Sequence, residues 1–477
     1  MTASALLSPI KIGDHTLEHR VVLAPLTRLR NDMEGVPQAH AIEYYQQRSS
    51  QGGLLISEAT VVSESGAGYH YAPGIYTEKQ IQAWKKVTES VHSKGAIIFS
   101  QLWHVGRATS SKVLPGDHVP IAPSAIAISG KNLFNEDFEV PHAVTLDEIK
   151  NLIQEFVTAA KNAMDAGFDG VEIMAANGYL IDQFINSSSN HRDDQYGGSI
   201  ENRARFALEI VDAVVEAIGV KKVGVRFSPW SEFQDMKDDT PIETWSYLTQ
   251  QLQDRHPDLA YVHFIEARES GHFDGEIEHP ESLDPYRQIW KGPFITAGGF
   301  INPEKAIKFA DENPNNLVAF GRIFIANPDL PRRIREKLPL NEYHRPTFYT
   351  QGLDGYIDYP FYTSPDEQQQ EVKDEEKKDE EITTTDVSAS VTATATATDE
   401  VASIKSSSSK SSKSSKSSKS SKSSKSTKSS KKQDEQQVTE KQDEEVSKNQ
   451  NEQISEKQDK KSKRKTKIFN KEKCLIQ

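Results

Sequence analysis

Short apolar runs alternate with amphipathic segments along the chain from Arg20 onward. Eight runs are rich in Val, Ile, Leu and Phe, as is typical of buried parallel strands: VVLAPLT, LLISEAT, AIIFSQLW, GVEIMAA, VGVRFSP, LAYVHFIEA, PFITAGGF and LVAFGRIF. Between the runs lie seven segments with helical periodicity, HAIEYYQQRSSQ, TEKQIQAWKKVTESVHSKG, TLDEIKNLIQEFVTAAKNAMDAG, SIENRARFALEIVDAVVEAIG, TPIETWSYLTQQLQDR, NPEKAIKFADE and NPDLPRRIREKL, and one segment with a poor helical pattern around SLDPYRQIW. The third helix carries a capping box, Thr145 with Glu148, and closes on Gly167. Eight strand and helix units predict an α/β fold, a closed (β/α)8 TIM barrel.

Polar residues and glycines recur where the predicted strands end. Barrel enzymes build their sites there, because the loops after the C-terminal ends of the strands meet at one face. Strands 7 and 8 are followed by Gly298-Gly299 and Gly321-Arg322. Barrels commonly hold phosphate at this place, through close backbone N–H groups and a guanidinium. The other strand ends carry hydrogen-bonding groups rather than a cluster of metal ligands, so the pattern indicates a phosphorylated cofactor with a flat heterocycle, such as a flavin, and no metal.

The composition divides the chain into residues 1–364 and residues 365–477. Hydrophobic residues make up 36 % of the whole, against roughly 45 to 50 % in ordinary globular domains, a figure that includes glycine. Residues 1–364 carry a net charge of −15 and residues 365–477 a net charge of +2. The second part consists of an acidic block, a Thr/Ala run and Ser-Ser-Lys triplets, which bury too little apolar surface to fold. We therefore predict a barrel followed by a disordered charged tail, and the acidic body predicts no nucleic-acid binding.

Several protein classes are excluded by the same sequence. No run approaches the ~18 apolar residues of a membrane span, and the first residues do not resemble a secretory signal. A single cysteine excludes a disulfide framework. The expected location is therefore cytoplasmic unless the tail directs the protein elsewhere.

The last eighteen residues combine eight basic residues, one acidic residue and the only cysteine, Cys474. The sequence Cys474-Leu475-Ile476-Gln477 matches a prenylation signal whose final Gln favours a farnesyl group. One lipid gives weak binding, and a polybasic cluster adds about 1 kcal/mol per Lys or Arg near an anionic leaflet. We expect farnesyltransferase to modify Cys474 and the tail to hold the protein at the cytoplasmic face of an anionic membrane. The alternatives are a chance match at an exposed cysteine, and a basic run that serves nuclear targeting or RNA contact.

Replacing Cys474 by Ser tests the lipid hypothesis. Serine has no thiol to form the thioether with the prenyl group. We therefore expect the variant to move from the membrane fraction to the soluble fraction of a cell lysate. Fractionation followed by immunodetection measures the change. Continued association of Cys474→Ser with the membrane would contradict the hypothesis.

Longer motifs appear in a fixed order across about residues 5–362. They are RVVLAPLTRLR, YAPGIYTE, QLWHVGR, ANGYLIDQFINSSSNHRDDQYGGSIENRARF, VGVRFSP, TAGGF and GRIFIANPDLPRR. Together they resemble the old yellow enzyme family of FMN-containing ene reductases, and the long motif after the fourth strand is the most specific of them. The tail lies outside the resemblance.

The resemblance implies roles for individual residues. The flavin ring would be contacted by Pro25, Leu26, Thr27, Ala59, Gln101 and Arg226. Thr27 would bond to the flavin C4 carbonyl, Gln101 to the pyrimidine edge, and Arg226 would lie beside N1 and the C2 carbonyl. The phosphate would be held by Gly298, Gly299, Gly321 and Arg322. The substrate would be bound by Trp103, Met174, Asn177, Tyr179 and Tyr349, of which Tyr179 and Asn177 would be catalytic.

The implied chemistry is an FMN-dependent oxidoreduction with NADPH or NADH as hydride donor. An α,β-unsaturated carbonyl would then receive the hydride at Cβ, and Tyr179 would protonate Cα. A phenol suits this step because the acceptor is an enolate-like carbon. Quinones are a second expected substrate class, and the resemblance leaves room for a homodimer.

One position departs from the family pattern. The family holds the substrate carbonyl with a pair of donors, usually His and Asn three residues apart, whereas VEIMAANGY places Met174 before Asn177. A thioether donates no hydrogen bond, and the loss of one oxyanion donor typically costs about 10² to 10³ in rate. Three interpretations follow: a slower reductase, a reductase for a different acceptor with a more apolar pocket, or a flavin-containing protein that binds steroids or phenols and turns over weakly. A scaffold recruited to membranes by its tail is a further alternative.

Other polar residues near the strand ends have structural interpretations. We expect His104 to be a structural group or part of the cavity rim, Asp169 to lie at a turn, and Glu172 to be paired within the barrel without direct chemistry. Apart from the resemblance, Arg226 fits a cofactor contact or a buried ion pair equally well.

Overall fold

Thirteen strands and ten α-helices occur among the residues that the computed structural model describes, 4–132, 134–267 and 281–364. The strands are β1 (Ile10–Ile12), β2 (His15–Leu17), β3 (Val21–Leu23), β4 (Leu54–Ile56), β5 (Thr60–Val61), β6 (Ile97–Trp103), β7 (Ile121–Ala122), β8 (His142–Ala143), β9 (Gly170–Ala175), β10 (Val223–Phe227), β11 (Tyr261–Ile265), β12 (Phe294–Ala297) and β13 (Asn316–Phe320). The helices are α1 (Ala39–Gln47), α2 (Glu78–His92), α3 (Leu146–Asp165), α4 (Leu180–Ile185), α5 (Ile200–Ile218), α6 (Pro241–Arg255), α7 (Asp284–Ile289), α8 (Pro303–Glu312), α9 (Arg322–Ala326) and α10 (Leu330–Glu336).

Eight of these strands form a closed parallel barrel. The order β3, β4, β6, β9, β10, β11, β12, β13 returns to β3 through parallel pairing at every step. The predicted (β/α)8 barrel is therefore confirmed, and each of the eight apolar runs supplies one strand. The eighth apolar run extends to Phe324, whereas β13 ends at Phe320 and α9 begins at Arg322, so Gly321 and Arg322 follow the strand as expected.

The lower part of the barrel interior is filled by apolar and aromatic side chains, Phe99 and Tyr261 among them, and is closed at its N-terminal end by a hairpin. Strands β1 and β2 pair antiparallel, and Ile12 and Leu17 join the same buried cluster as Leu54, Ile295 and Leu317. Gly13 makes the turn at a φ of +50°, and a Cβ there would lie 2.1 Å from the carbonyl oxygen of Lys221. The hairpin thus covers the bottom of the barrel and leaves chemistry to the opposite end.

A second, larger apolar layer lies between the strands and the surrounding helices. The predicted capping box at the start of α3 is present, with Thr145 and Glu148 bonded reciprocally, and α2 begins with a second box of Thr77 and Gln80. Each box satisfies backbone N–H groups that a helix start leaves without partners. Packing against this layer holds the strand ends in a fixed arrangement.

The chain divides into two units, Met1–Glu381 and Ile382–Gln477, and the described residues belong to the first. The predicted tail, its basic segment and Cys474 lie outside the described residues, so these expectations, like the proposed boundary after Ser364, stay predictions. Within the described ranges, no helix is both long and apolar enough to cross a bilayer.

Candidate functional site

The predicted site residues gather at the carboxyl end of the barrel. The structure places them at consecutive strand ends: Pro25, Leu26 and Thr27 after β3, Ala59 after β4, Gln101 and Trp103 at the end of β6, Met174 within β9, Asn177 and Tyr179 after β9, Arg226 near the end of β10, Gly298 and Gly299 after β12, and Gly321 and Arg322 after β13. Tyr349 lies in the segment after the barrel and is 62 % exposed. It interacts electrostatically with Tyr69 and Tyr179, so the predicted groups come from the strand ends of one barrel face and from this later segment.

A buried polar network lies within the barrel below this face. Gln101 Nε2 donates to Glu172 Oε1 at 2.7 Å, and Glu172 Oε2 lies 2.8 Å from His263 Nδ1. All three side chains are 0 or 1 % exposed. Burial alone would raise the pKa of Glu172, but His263, Arg226 and Gln101 together hold it below its ordinary value. Glu172 is therefore an ionised acceptor, and its expected pairing within the barrel is confirmed.

Strands β12 and β13 end at half-buried glycines, and Arg322 follows Gly321 directly. Gly298 and Gly299 have φ values of +106° and +69°, which glycine adopts without strain. A Cβ at Gly321 would meet a single neighbouring atom, Leu26 Cδ2 at 3.2 Å. Half-buried glycine backbone beside a half-buried Arg322 suits a phosphate, which accepts from N–H groups and from a guanidinium.

The opposite side of this face is apolar. Met174 packs in one cluster with Ala59, Val61, Trp103 and Val105. It is 5 % exposed and adds no donor. The indole Nε1 of Trp103 is buried without a hydrogen-bond partner among the described residues. The cluster therefore supplies an apolar wall.

Tyr179 stands against this apolar wall. Its ring meets Trp103 edge to face, with centroids 4.9 Å apart, and Trp103 stacks on Tyr69 at 5.5 Å. Burial, with Tyr69 nearby, raises the pKa of the Tyr179 hydroxyl well above its ordinary value, although a hydrogen bond with Gln234 opposes the shift. The hydroxyl is therefore protonated at neutral pH.

A strained turn presents Asn177 next to Tyr179. Asn177 has a φ of +58° and Gly178 a φ of +72°, a region that asparagine enters at less cost than most residues. The Asn177 N–H donates to Ser228 Oγ at 2.7 Å, and the Gly178 N–H donates to Asp182 Oδ2 at 2.8 Å. Burial raises the pKa of Asp182 to about 7. These two anchors fix the turn, so the Asn177 side chain is positioned by backbone contacts.

Two residues near Tyr179 were not predicted. Tyr69 lies just before the YAPGIYTE motif, and Gln234 has a φ of +61° in an irregular segment after β10. A Cβ on Gly178 would lie 2.9 Å from Gln234 Cβ, so this segment packs directly on the turn. Neither residue lies at a strand end or in a periodic pattern. Tyr69 and Gln234 are 110 and 55 positions from Tyr179 in the sequence, so no local sequence pattern predicts these contacts.

His104 and Asp169 have the structural surroundings that were expected of them. His104 is 2 % exposed, its Nδ1 accepts from the Gly106 N–H at 3.1 Å, and burial lowers its pKa to about 3. Asp169, in the turn before β9, accepts from the Ile98 N–H at 2.8 Å and lies 2.9 Å from His92 Nε2. Among the described residues, no three His, Cys, Asp or Glu side chains form a group that could hold a metal ion.

Two arginines that follow Thr27 hold the segment that carries Tyr349. Arg28 donates to the carbonyl oxygens of Phe348 and Gly355 at 3.1 and 2.7 Å. Arg30 donates to three more carbonyls, those of Thr347, Gly352 and Asp354, at 2.7 to 2.9 Å. The tyrosine ring beside them, Tyr356, lies 4.7 Å from the Arg30 guanidinium. The segment that carries Tyr349 is thus joined to the residues after β3 by hydrogen bonds from arginine side chains to backbone carbonyls.

Replacing Arg30 by Ala is expected to destabilise the protein by about 2 to 4 kcal/mol, because it leaves several poorly solvated carbonyls without donors. Chemical unfolding followed by circular dichroism measures the change. The control is Arg255→Ala, which removes an exposed ion pair with Asp212 and should cost less than about 1 kcal/mol. Equal effects of the two variants would contradict the anchoring role of Arg30.

The comparisons agree with this architecture. Residues 5–341 match the model of the NADH:flavin oxidoreductase / NADH oxidase family. The chain is 46 % identical over 373 residues to 12-oxophytodienoate reductase 1 of Oryza sativa subsp. japonica, covering 77 % of this chain and 96 % of the relative. It is 47 % identical over 385 residues to the flavin oxidoreductase hxnT of Emericella nidulans, covering 75 % and 97 %.

Two solved structures are similar in the same region. One is an old yellow enzyme homologue from Zymomonas mobilis, with a TM-score of 0.71 and 40 % identity over 75 % of this chain and 99 % of the other. The second is morphinone reductase, with a TM-score of 0.70 and 43 % identity over 76 % and 97 %. The fold and the matches define a flavin oxidoreductase built on a TIM barrel. The chain belongs to the old yellow enzyme family and is an FMN-dependent oxidoreductase.

The residues present suit FMN. The glycines after β12 and β13, together with Arg322, offer an anion site, and Arg226 places a second cation near Glu172. Thr27, which is half-buried, follows β3, the strand next to β13. The proposed set combines a cationic site for phosphate, a cation beside a polar ring edge and an apolar wall, as a phosphorylated flavin requires.

Proposed function

We propose that this protein is an ene reductase that uses NADPH or NADH and reduces the C=C bond of α,β-unsaturated carbonyl compounds. The observation that carries the proposal is the placement of a protonated, buried Tyr179 beside Asn177 and an apolar wall at the carboxyl end of the barrel. Relatives named as reductases of 12-oxophytodienoate and morphinone support an organic acceptor. A solved structure of morphinone reductase with tetrahydroNAD supports a nicotinamide donor.

The cofactor would be held by the residues described above. Gly298, Gly299, Gly321 and Arg322 would bind the phosphate; Pro25, Leu26, Thr27, Ala59, Gln101 and Arg226 would contact the ring. When bound, FMN supplies hydride transfer between the nicotinamide and the acceptor. The chain's own part is to bind each partner in turn, exclude water and deliver the proton.

Asn177 and Tyr179 divide that work. The amide of Asn177 donates a hydrogen bond to the substrate carbonyl oxygen, where negative charge develops. The hydroxyl of Tyr179 gives its proton to Cα, and its high pKa keeps that proton in place until the carbon becomes basic. Trp103 and Tyr349 line the cavity and limit the entry of water.

Met174 makes the carbonyl site asymmetric. One donor remains where the family pattern has two, and the thioether adds apolar contact in its place. The acceptor that this site favours therefore carries apolar bulk near its carbonyl and depends on Asn177 alone for polarisation. Quinones are a second acceptor class, because they accept electrons with less need for carbonyl activation.

A flavin-containing binding protein is the alternative function, and the apolar burial of Met174 favours it. Such a protein would bind steroids or phenols and turn over weakly. Anaerobic oxidation of NADPH in the presence of 2-cyclohexenone separates the two, with cyclohexanone measured by gas chromatography. Stoichiometric cyclohexanone supports the reductase. Tight phenol binding without saturated product would contradict it.

A further inference from the structure

We propose that Glu172 is a positioning residue for FMN: it orients the Gln101 amide and offsets the charge of Arg226, and thereby sets the relative affinity of the site for oxidised and reduced flavin. This inference rests on the proposed ring contacts of Gln101 and Arg226. It concerns a buried carboxylate that touches neither substrate nor cofactor.

The strand register brings the network together. Gln101 on β6 is paired with Glu172 on β9, and Arg226 on β10 is paired with His263 on β11. Strands β9 and β10 are neighbours. The Glu172 carboxylate therefore lies between the Gln101 amide on one side and the Arg226 and His263 side chains on the other. The four side chains come from four consecutive strands and are all buried.

The first consequence concerns the direction of the Gln101 amide. A carboxylate only accepts hydrogen bonds, so the 2.7 Å contact with Glu172 Oε1 assigns the nitrogen of Gln101 to Glu172. The oxygen of Gln101 is then the atom left for the cofactor. It can accept from an N–H group, and the pyrimidine edge of a flavin offers one at N3. Glu172 thus selects the hydrogen-bonding character that Gln101 presents.

The second consequence concerns charge. Burial lowers the pKa of His263, with Glu172 opposing the shift, so His263 is neutral and gives its Nδ1 hydrogen to Glu172 at 2.8 Å. The charge left to balance Glu172 is that of Arg226. Reduction places negative charge on the part of the flavin next to that arginine, so an ionised Glu172 weakens the preference of the site for the reduced form.

Two variants separate these effects. Glu172→Gln removes the charge but keeps an oxygen acceptor for Gln101, and the neutral His263 can change tautomer to match it. Glu172→Met removes charge and acceptor together. The control is Asp238→Asn, which neutralises another buried carboxylate, one paired with Arg203 at 3.0 Å and outside the proposed cofactor site.

The measurements are the midpoint potential of the bound flavin, by equilibration with a redox dye, and the affinity for oxidised FMN, by fluorescence. We expect Glu172→Gln to raise the affinity for reduced FMN relative to that for oxidised FMN on the order of tenfold. This change corresponds to an increase of about 30 mV in the midpoint potential of a two-electron couple. We expect Glu172→Met to weaken binding of oxidised FMN about fivefold in addition. Asp238→Asn should change neither quantity.

An unchanged potential in Glu172→Gln, with FMN bound as in the wild type, overturns the inference and leaves the proposed reductase intact. If Glu172→Met does not fold, the potential of Glu172→Gln still decides. If Gln101→Ala and Arg226→Lys alter neither the potential nor FMN affinity in the wild-type background, the proposed ring contacts are wrong and the inference falls with them.

Discussion

Replacing Tyr179 by Phe is expected to slow the reduction of an enone by about 10² to 10⁴, the range in which a positioned general acid contributes. The substitution removes the hydroxyl and keeps the ring, so the edge-to-face contact with Trp103 at 4.9 Å is preserved. Reduction of the protein by NADPH should proceed at the wild-type rate, because that step needs no proton from Tyr179. Stopped-flow spectroscopy measures the two half-reactions separately.

The matched control is Tyr69→Phe. Tyr69 is a neighbour whose hydroxyl interacts with that of Tyr179, and its loss leaves the proton donor in place. We expect a decrease of about fivefold, as for one neutral hydrogen bond. A Tyr179→Phe variant that reduces the enone as fast as Tyr69→Phe would show that water or another group supplies the proton.

The second large effect is expected at Met174. Introducing His there restores a second donor beside Asn177, and we expect kcat/KM for 2-cyclohexenone to rise by about 10² to 10³, the value of one oxyanion donor. The opposite change, Asn177→Ala, removes the remaining donor and should lower it by a similar factor. Steady-state kinetics under anaerobic conditions measure both.

Met174→Leu is the control for Met174→His. Leucine has nearly the same volume and likewise donates no hydrogen bond, so we expect activity within a few-fold of the wild type. A histidine among Ala59, Val61 and Trp103 must also find a partner for its second nitrogen, so some loss of thermal stability accompanies the gain. If Met174→His and Met174→Leu have the same kcat/KM, the missing donor does not limit the reaction.

The barrel was predictable because its pattern is local. Each strand is a continuous apolar run, each covering helix has its own period, and Thr145 with Glu148 marks a helix start by itself. The barrel then dictates that the residues following the strands share one face. The apolar run LVAFGRIF does not by itself show that Ile323 and Phe324 belong to α9, because they are as apolar as the residues of β13.

The contacts that shape the site were not predictable from such patterns. The hydrogen bond from Gln101 to Glu172 depends on register between β6 and β9, which the apolar runs leave undetermined. The approach of Tyr69 and Gln234 to Tyr179 depends on irregular loops. The hydrogen bonds from Arg30 to the segment with Tyr349 join residues more than 300 positions apart in the sequence. Such contacts follow from tertiary packing. The replacement of the usual carbonyl donor by Met174, in contrast, could be identified from the sequence alone.

The central claim is that Asn177 and Tyr179 suffice for enone reduction without a second carbonyl donor. The most direct test is an anaerobic titration of the purified protein with NADPH and then with 2-cyclohexenone, followed through the flavin absorbance band in the visible spectrum. We predict bleaching by NADPH and full recovery of the band on addition of the enone, with one equivalent of cyclohexanone formed. Bleaching that persists in the presence of the enone would contradict the claim and favour the binding-protein alternative.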